Sequence, residues 1–130
     1  MATLTLNKKT EQPPQSLEQQ RARHAWEKAG EGVNRHGKDY INDAKGLPAL
    51  IMNSGLMQVM AFLHAKADRH ETLASHLRDW LADQCGTPRD FEGFMNKLMS
   101  AKPADYQAIT AEAFAWLRWL RQMAPARVGG

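Results

Sequence analysis

The stretch from Tyr40 to Lys66, YINDAKGLPALIMNSGLMQVMAFLHAK, decides the fold class. Pro48 has the fixed φ that suits a first helical turn. From there Leu50, Ile51, Leu56, Val59, Met60, Phe62 and Leu63 predict one long helix reaching Lys66. It is apolar over most of its circumference, apart from Asn53, Ser54, Gln58 and His64. Such a segment is expected at the centre of a helical bundle. No apolar run in the chain approaches the ~20 residues of a membrane span. Gly55 lies inside the predicted helix, where it is about 1 kcal/mol less favourable than alanine unless another backbone packs closely there. Just upstream, Asp39 to Lys45 predicts a short helix closed by Gly46.

Outward from this segment, helical signals continue in both directions. Ser16 and Gln19 have capping-box spacing and open a helix expected to stop in the mid-thirties, with Ala22, Ala25, Trp26, Ala29 and Val33 as its buried face. A third helix runs from about Arg69 to Gln84, with Leu73, Leu77, Trp80 and Leu81 on one face and Gly86 as its stop. Thr87-Pro88 predicts the next start, turning Phe91, Phe94, Met95, Leu98 and Met99 inward. The last helix, Pro103 to Ala124, aligns Tyr106, Ile109, Ala113, Leu117, Leu120 and Ala124. No window alternates as a strand would. The expected fold is all-α, a compact single-domain bundle of five or six helices over residues 16–125. Residues 1–15 are expected as a flexible arm and 126–130 as a short tail.

The 130 residues hold 43% hydrophobic and 24% charged side chains, an ordinary globular composition. The N-terminal residues lack an apolar signal core, and the single cysteine, Cys85, fits a reducing cytoplasm. The formal charge is +3, with basic surplus in residues 1–47 and 101–130 and a slight acidic surplus between them. That permits a nucleic-acid partner without demanding one.

Catalytic chemistry finds no support. His64, His70 and His76 recur every six residues, a rotation of about 240° that points them in three directions, whereas helical zinc pairs need a spacing of three or four. His24 and His36 have no carboxylate or thiol beside them that improves a metal reading. Cys85 sits at a helix end, where the dipole does not favour a thiolate. Phosphate-binding glycine loops and paired acids are absent. No cofactor or metal is expected, nor a small-molecule substrate.

Basic and aromatic residues offer more. Arg21 and Lys28, seven apart, share one face of the first helix and suit a phosphate backbone, although Glu18, Glu27 and Glu31 lie among them. On the last helix, Trp119 falls off the core stripe while Phe114 and Arg118 lie on the opposite flank. These three residues are candidates for a protein interface.

In their order and spacing, the segments resemble the small subunit of the type III-B CRISPR RNA-targeting (Cmr) effector complex. The resemblance is carried by Tyr40, Lys45, Leu47-Pro48, Leu50-Ile51, Asn53-Ser54-Gly55-Leu56, Ala61-Phe62-Leu63 and Lys66. It extends to Arg21-Ala22, Tyr106, Thr110-Ala111-Glu112-Ala113 and Leu117-Arg118-Trp119-Leu120-Arg121, covering about residues 20 to 124. Gly46, between Lys45 and Leu47, departs from the family pattern. The resemblance implies a cytoplasmic, non-catalytic subunit that stacks with copies of itself beside guide and target RNA, with other Cmr subunits supplying the cleavage. It also implies Lys45 and Lys66 as RNA contacts, to which Arg21 and Lys28 are added. Two alternatives stay open: the small subunit of a type III-A effector, and a helix-turn-helix DNA-binding regulator. Turns at Gly86-Thr87 and Lys102-Pro103 permit the latter, but the helices after them carry mainly core residues.

Overall fold

A computed structural model describes residues 14–128, so most of the expected N-terminal arm and the last two residues of the expected tail lie outside the described residues. Six helices follow one another: α1 (Leu17–His36), α2 (Lys38–Ser54), α3 (Leu56–Lys66), α4 (Asp68–Cys85), α5 (Phe91–Ser100) and α6 (Pro103–Ala126). The described residues contain no strand, and none of their helices is long and apolar enough to cross a membrane. The all-α expectation holds.

Local chemistry explains most boundaries. The Ser16 hydroxyl accepts from the Gln19 amide at 3.1 Å and the Gln19 side chain accepts from the Ser16 amide at 2.8 Å, so the capping box that starts α1 is complete. Gly37, at φ 60°, ends that helix. The break comes at Gly37 rather than Gly46, and α2 runs unbroken through Gly46 and Pro48. Tyr40, Ala44, Leu47 and Ile51 form one fully buried stripe along it, and their burial outweighs the poor helix propensity of both residues. The expected Pro48–Lys66 helix is therefore two elements. Gly55, at φ 86° and ψ 155°, separates them in a conformation that favours glycine. The Tyr106 hydroxyl, from α6, accepts the Met57 amide at 3.2 Å and satisfies a donor in the first turn of α3.

The fifth helix starts later than Thr87-Pro88 implies. Asp90 is its cap, accepting from the Gly93 amide at 2.8 Å. Buried Arg78 donates to the Arg89 carbonyl at 2.8 Å, tying the preceding loop to α4. Phe94 and Leu98 face the core, whereas Met99 turns outward and Phe91 stacks on His64 at a centroid distance of 3.8 Å.

The core gathers Trp116, Leu117 and Leu120 of α6 with Leu73, Leu77 and Leu81 of α4, Tyr40 and Leu47 of α2, and Leu56 and Met60 of α3. α6 packs most extensively against α1, then α2. Ala25, Ala29 and Gly32 are the small buried residues of α1, and Gly32 admits the Tyr40 ring of α2. A Cβ at Gly32 would collide with the buried Tyr40 ring. Gly32→Ala is accordingly expected to destabilise the fold by about 1–3 kcal/mol in urea unfolding, despite alanine's better helix propensity.

Trp26 does not face the core as expected. It is 41% exposed, and the Arg127 guanidinium lies 4.3 Å from its ring centroid. The buried face of α1 is turned toward His24 instead, because His24 has polar partners waiting on α4 and α6.

Candidate nucleic-acid interface

The four basic residues proposed for RNA divide into two pairs. Arg21 and Lys28 face the α1 seam. The Arg21 Nε and Nη2 donate to both Glu112 oxygens of α6, at 2.7 and 2.8 Å, and Nη1 donates to Glu18 at 3.1 Å. This guanidinium is largely buried and joins two helices. The Lys28 ammonium lies 3.5 Å from Glu31 and 3.8 Å from Asp79. Lys45 and Lys66, by contrast, are exposed, and neither forms an ion pair among the described residues. The Lys66 ammonium sits 5.7 Å from the centroid of the half-exposed Phe62 ring. Between Ala44 and Ala67 the sequence has no aspartate or glutamate, although Asp43 and Asp68 flank this stretch and Glu71 of α4 reaches His64 at 3.0 Å.

The candidate interface residues of α6 also separate. Trp119 is half-buried against the core and donates its Nε1–H to Glu18 at 3.1 Å, so it helps hold α1 to α6. Phe114 is likewise packed partly into the core, while Arg118 points to solvent. Large exposed apolar side chains instead cluster on other elements: Leu50 and Met52 on α2, Phe62 on α3 and Met99 on α5.

A polar network missed by apolar periodicity runs through the α1, α4 and α6 contact. Trp116 donates its Nε1–H to His24 Nδ1 at 2.9 Å, which places the His24 proton on Nε2, where it donates to Asp79 at 2.8 Å. Tyr40 and His76 Nδ1 are 2.8 Å apart, and His76 Nε2 lies 3.3 Å from Glu31. Burial pushes the His76 pKa down to about 4, only partly opposed by Glu31. Glu112 also accepts from the Trp80 Nε1–H at 2.9 Å. Burial raises its carboxyl pKa, but the Arg21 and Trp80 hydrogen bonds outweigh that and hold it below the usual range. The sequence signal for these links was the unusual number of histidines and tryptophans at helix-face edges, but not their pairing.

Each histidine of the six-residue series meets a different group: His64 meets Glu71, His70 the ring of Phe62, and His76 the Tyr40 hydroxyl. Among the described residues one metal-like cluster forms, from His24, Asp79 and Asp83. It shows that His24 has the carboxylate neighbours that sequence proximity did not reveal. Arg89 donates to Asp79 at 2.9 Å and also pairs with Asp83, while Lys28 approaches Asp79. Those cations already neutralise the carboxylates, so the cluster reads as an ion-pair network. Cys85 is half-buried at the end of α4, and burial raises its thiol pKa, away from the reactive thiolate.

Comparison with known proteins agrees with this arrangement. Residues 17–127 match the family model of the CRISPR-associated Cmr5 proteins. A CRISPR system Cmr subunit, Cmr5 of Thermus thermophilus, is 28% identical over 109 residues, covering 82% of this chain and 91% of that protein. The crystal structure of a CRISPR-associated Cmr5 family protein from the same organism superposes with a TM-score of 0.73 at 28% identity, covering 88% of this chain and 99% of the other. A family match across α1 to α6 selects among the alternatives left by the sequence. The chain belongs to the Cmr5 family, the small subunits of type III-B CRISPR Cmr complexes.

Proposed function

We propose that the chain is a non-catalytic small subunit of a cytoplasmic Cmr ribonucleoprotein that targets invading RNA, in which copies of it stack into a filament beside paired guide and target. Its partners are the other Cmr subunits, further copies of itself, and the two RNAs. Lys45 and Lys66 supply its RNA contacts, and the observation that carries this is their exposure, without an ion pair among the described residues, in a stretch whose sequence lacks acids from Ala44 to Ala67. Two positive charges per copy make a weak site, but repeated copies add such contacts along one strand. Backbone contacts suit RNA of arbitrary sequence, because pairing with the guide supplies the specificity. Arg21 and Lys28 are assigned to holding the seam. A non-catalytic role is supported by how the gathered titratable groups are spent: Glu112, Asp79 and Glu71 all accept hydrogen bonds from Arg or His side chains.

A Cmr complex reconstituted with Lys45→Glu and Lys66→Glu is expected to bind target RNA at least about tenfold more weakly. The dependence of binding on salt is expected to become shallower by about one unit of slope per lysine contact. Filter binding across a salt series measures both. Intact assembly with unchanged affinity and slope would overturn the RNA assignment. A tagged copy purified from its native cell is expected to carry guide RNA and other Cmr subunits.

A further inference from the structure

Arg127 is held differently from the other partnered arginines. Arg21, Arg69, Arg78 and Arg89 each meet a carboxylate. Arg127 forms no ion pair among the described residues. Its guanidinium carbon lies instead 4.3 Å from the centroid of the Trp26 ring. Gly30, one turn after Trp26 on α1, completes the seat. The three atoms nearest to a Cβ at this position would all belong to the Arg127 guanidinium, with its central carbon 2.7 Å away. Inside a helix glycine is disfavoured about fivefold against alanine. Position 30 therefore keeps a residue that its own helix does not favour and that this guanidinium requires.

The segment that fills the seat is otherwise loosely tied. Ala124 is the last buried side chain of α6, and Pro125, Ala126 and Val128 are exposed. Pro125 lies in the final turn and has no N–H to donate to the Arg121 carbonyl. Beyond Ala124, Arg127 is the one described side chain that is not exposed. A cation–π contact at an exposed site favours the docked state only about two- to fivefold. The segment can therefore lift without disturbing the core, and Trp26 is 41% exposed even while Arg127 covers it.

We propose that Trp26 and Gly30 form a docking seat for an arginine side chain of a partner protein, closed in the free subunit by Arg127 of the same chain acting as a strap. The arginine already in the seat shows what fits. The negative face of the indole attracts a cation, and the bare glycine admits a flat group beside it. A guanidinium is planar and weakly hydrated, whereas a lysine ammonium is compact and strongly hydrated, so the seat selects arginine. Neither the indole face nor the glycine offers a charge to a phosphate.

Nitrogen–proton NMR of the full chain tests this through the Trp26 indole N–H, assigned with Trp26→Phe. Arg127→Ala and Gly30→Ala are expected to move this peak in the same direction, the first by removing the guanidinium and the second by expelling it. Circular dichroism checks that both variants stay helical. Acetyl-arginine-amide is expected to bind Arg127→Ala at millimolar concentration and to return the peak toward its wild-type position. It should bind the wild type about three- to sixfold more weakly, because the strap competes. Acetyl-lysine-amide should bind Arg127→Ala at least about threefold more weakly than the arginine compound. Adding Gly30→Ala to Arg127→Ala should weaken arginine binding at least about tenfold, since the methyl group fills the seat. A Trp26 peak unmoved by Arg127→Ala would overturn the strap and the proposal with it. Equal binding by the single and double variants, or by lysine and arginine, would overturn the seat. So would a peak that ignores acetyl-arginine-amide and shifts with a uridine oligonucleotide, which would give the ring to RNA.

Discussion

Replacing Glu112 by alanine is expected to lower the unfolding free energy by about 3 kcal/mol, the low end for breaking a buried charge pair. The two carboxylate oxygens accept from Arg21 Nε, Arg21 Nη2 and Trp80 Nε1, at 2.7, 2.8 and 2.9 Å. The Glu112 side chain is 11% exposed and that of Arg21 16%, so water replaces few of these bonds. Truncation leaves a largely buried guanidinium with only Glu18 and leaves the Trp80 N–H without its acceptor. Urea unfolding of the wild type, Glu112→Ala and Glu112→Gln should give a graded series, since the amide keeps one acceptor oxygen. Arg21→Ala should also destabilise the isolated protein. Were Arg21 chiefly an RNA contact, that substitution would leave stability in the absence of RNA within about 0.5 kcal/mol, as surface changes do.

Acidification is expected to remove stability in two stages, and the first belongs to His76. Its pKa falls from the ordinary 6.5 to about 4 in the fold because burial disfavours the charged ring. A histidine depressed in this way favours the folded state fully above pH 6.5. That contribution is lost progressively as pH drops through 6.5 toward 4, because the unfolded chain takes up the proton first. The difference amounts to on the order of 3 kcal/mol. The second stage comes at lower pH, from Asp79, Glu71 and Glu112. Burial alone would raise each of these, but hydrogen bonds from His24 and Arg89, from Arg78 and His64, and from Arg21 and Trp80 lower them overall. Chemical unfolding measured at steps between pH 7 and pH 4 resolves the first stage. His76→Gln, which carries no titrating ring, should flatten that part of the profile. An unchanged slope in the variant would remove His76 as its source.

Part of the candidate site was legible beforehand and part was hidden. Lys45 and Lys66 belong to the family motif and are exposed; Asp43, two residues before Lys45, pairs with Arg69 instead. Arg21 and Lys28 satisfied the same criterion of a shared helical face, yet their partners Glu112 and Asp79 lie 91 and 51 positions away. Helical spacing reports neighbours within a turn or two and carries no information about a carboxylate on another helix. Trp26 shows the same limit from the apolar side. Its position fits a buried stripe, but the stripe turned to bring His24 onto Asp79 and Trp116, leaving the indole to Arg127.

Periodicity and punctuation by themselves determined that the described residues form an all-α fold, that α1 begins after Ser16, that α4 ends at Gly86 and that α6 begins at Pro103. These are local matters of capping, backbone freedom and the amphipathic face. Only the tertiary structure decided that α2 continues through Gly46 and Pro48 and that the chain breaks at Gly55. Both choices weigh a modest local preference against burial of Tyr40, Leu47 and Ile51 and the bond from Met57 to Tyr106. Tertiary packing likewise chose which cations the fold consumes and which stay outside. A charge is neutralised by whatever lies nearest in space, and for Arg21 that neighbour belongs to the last helix of the chain.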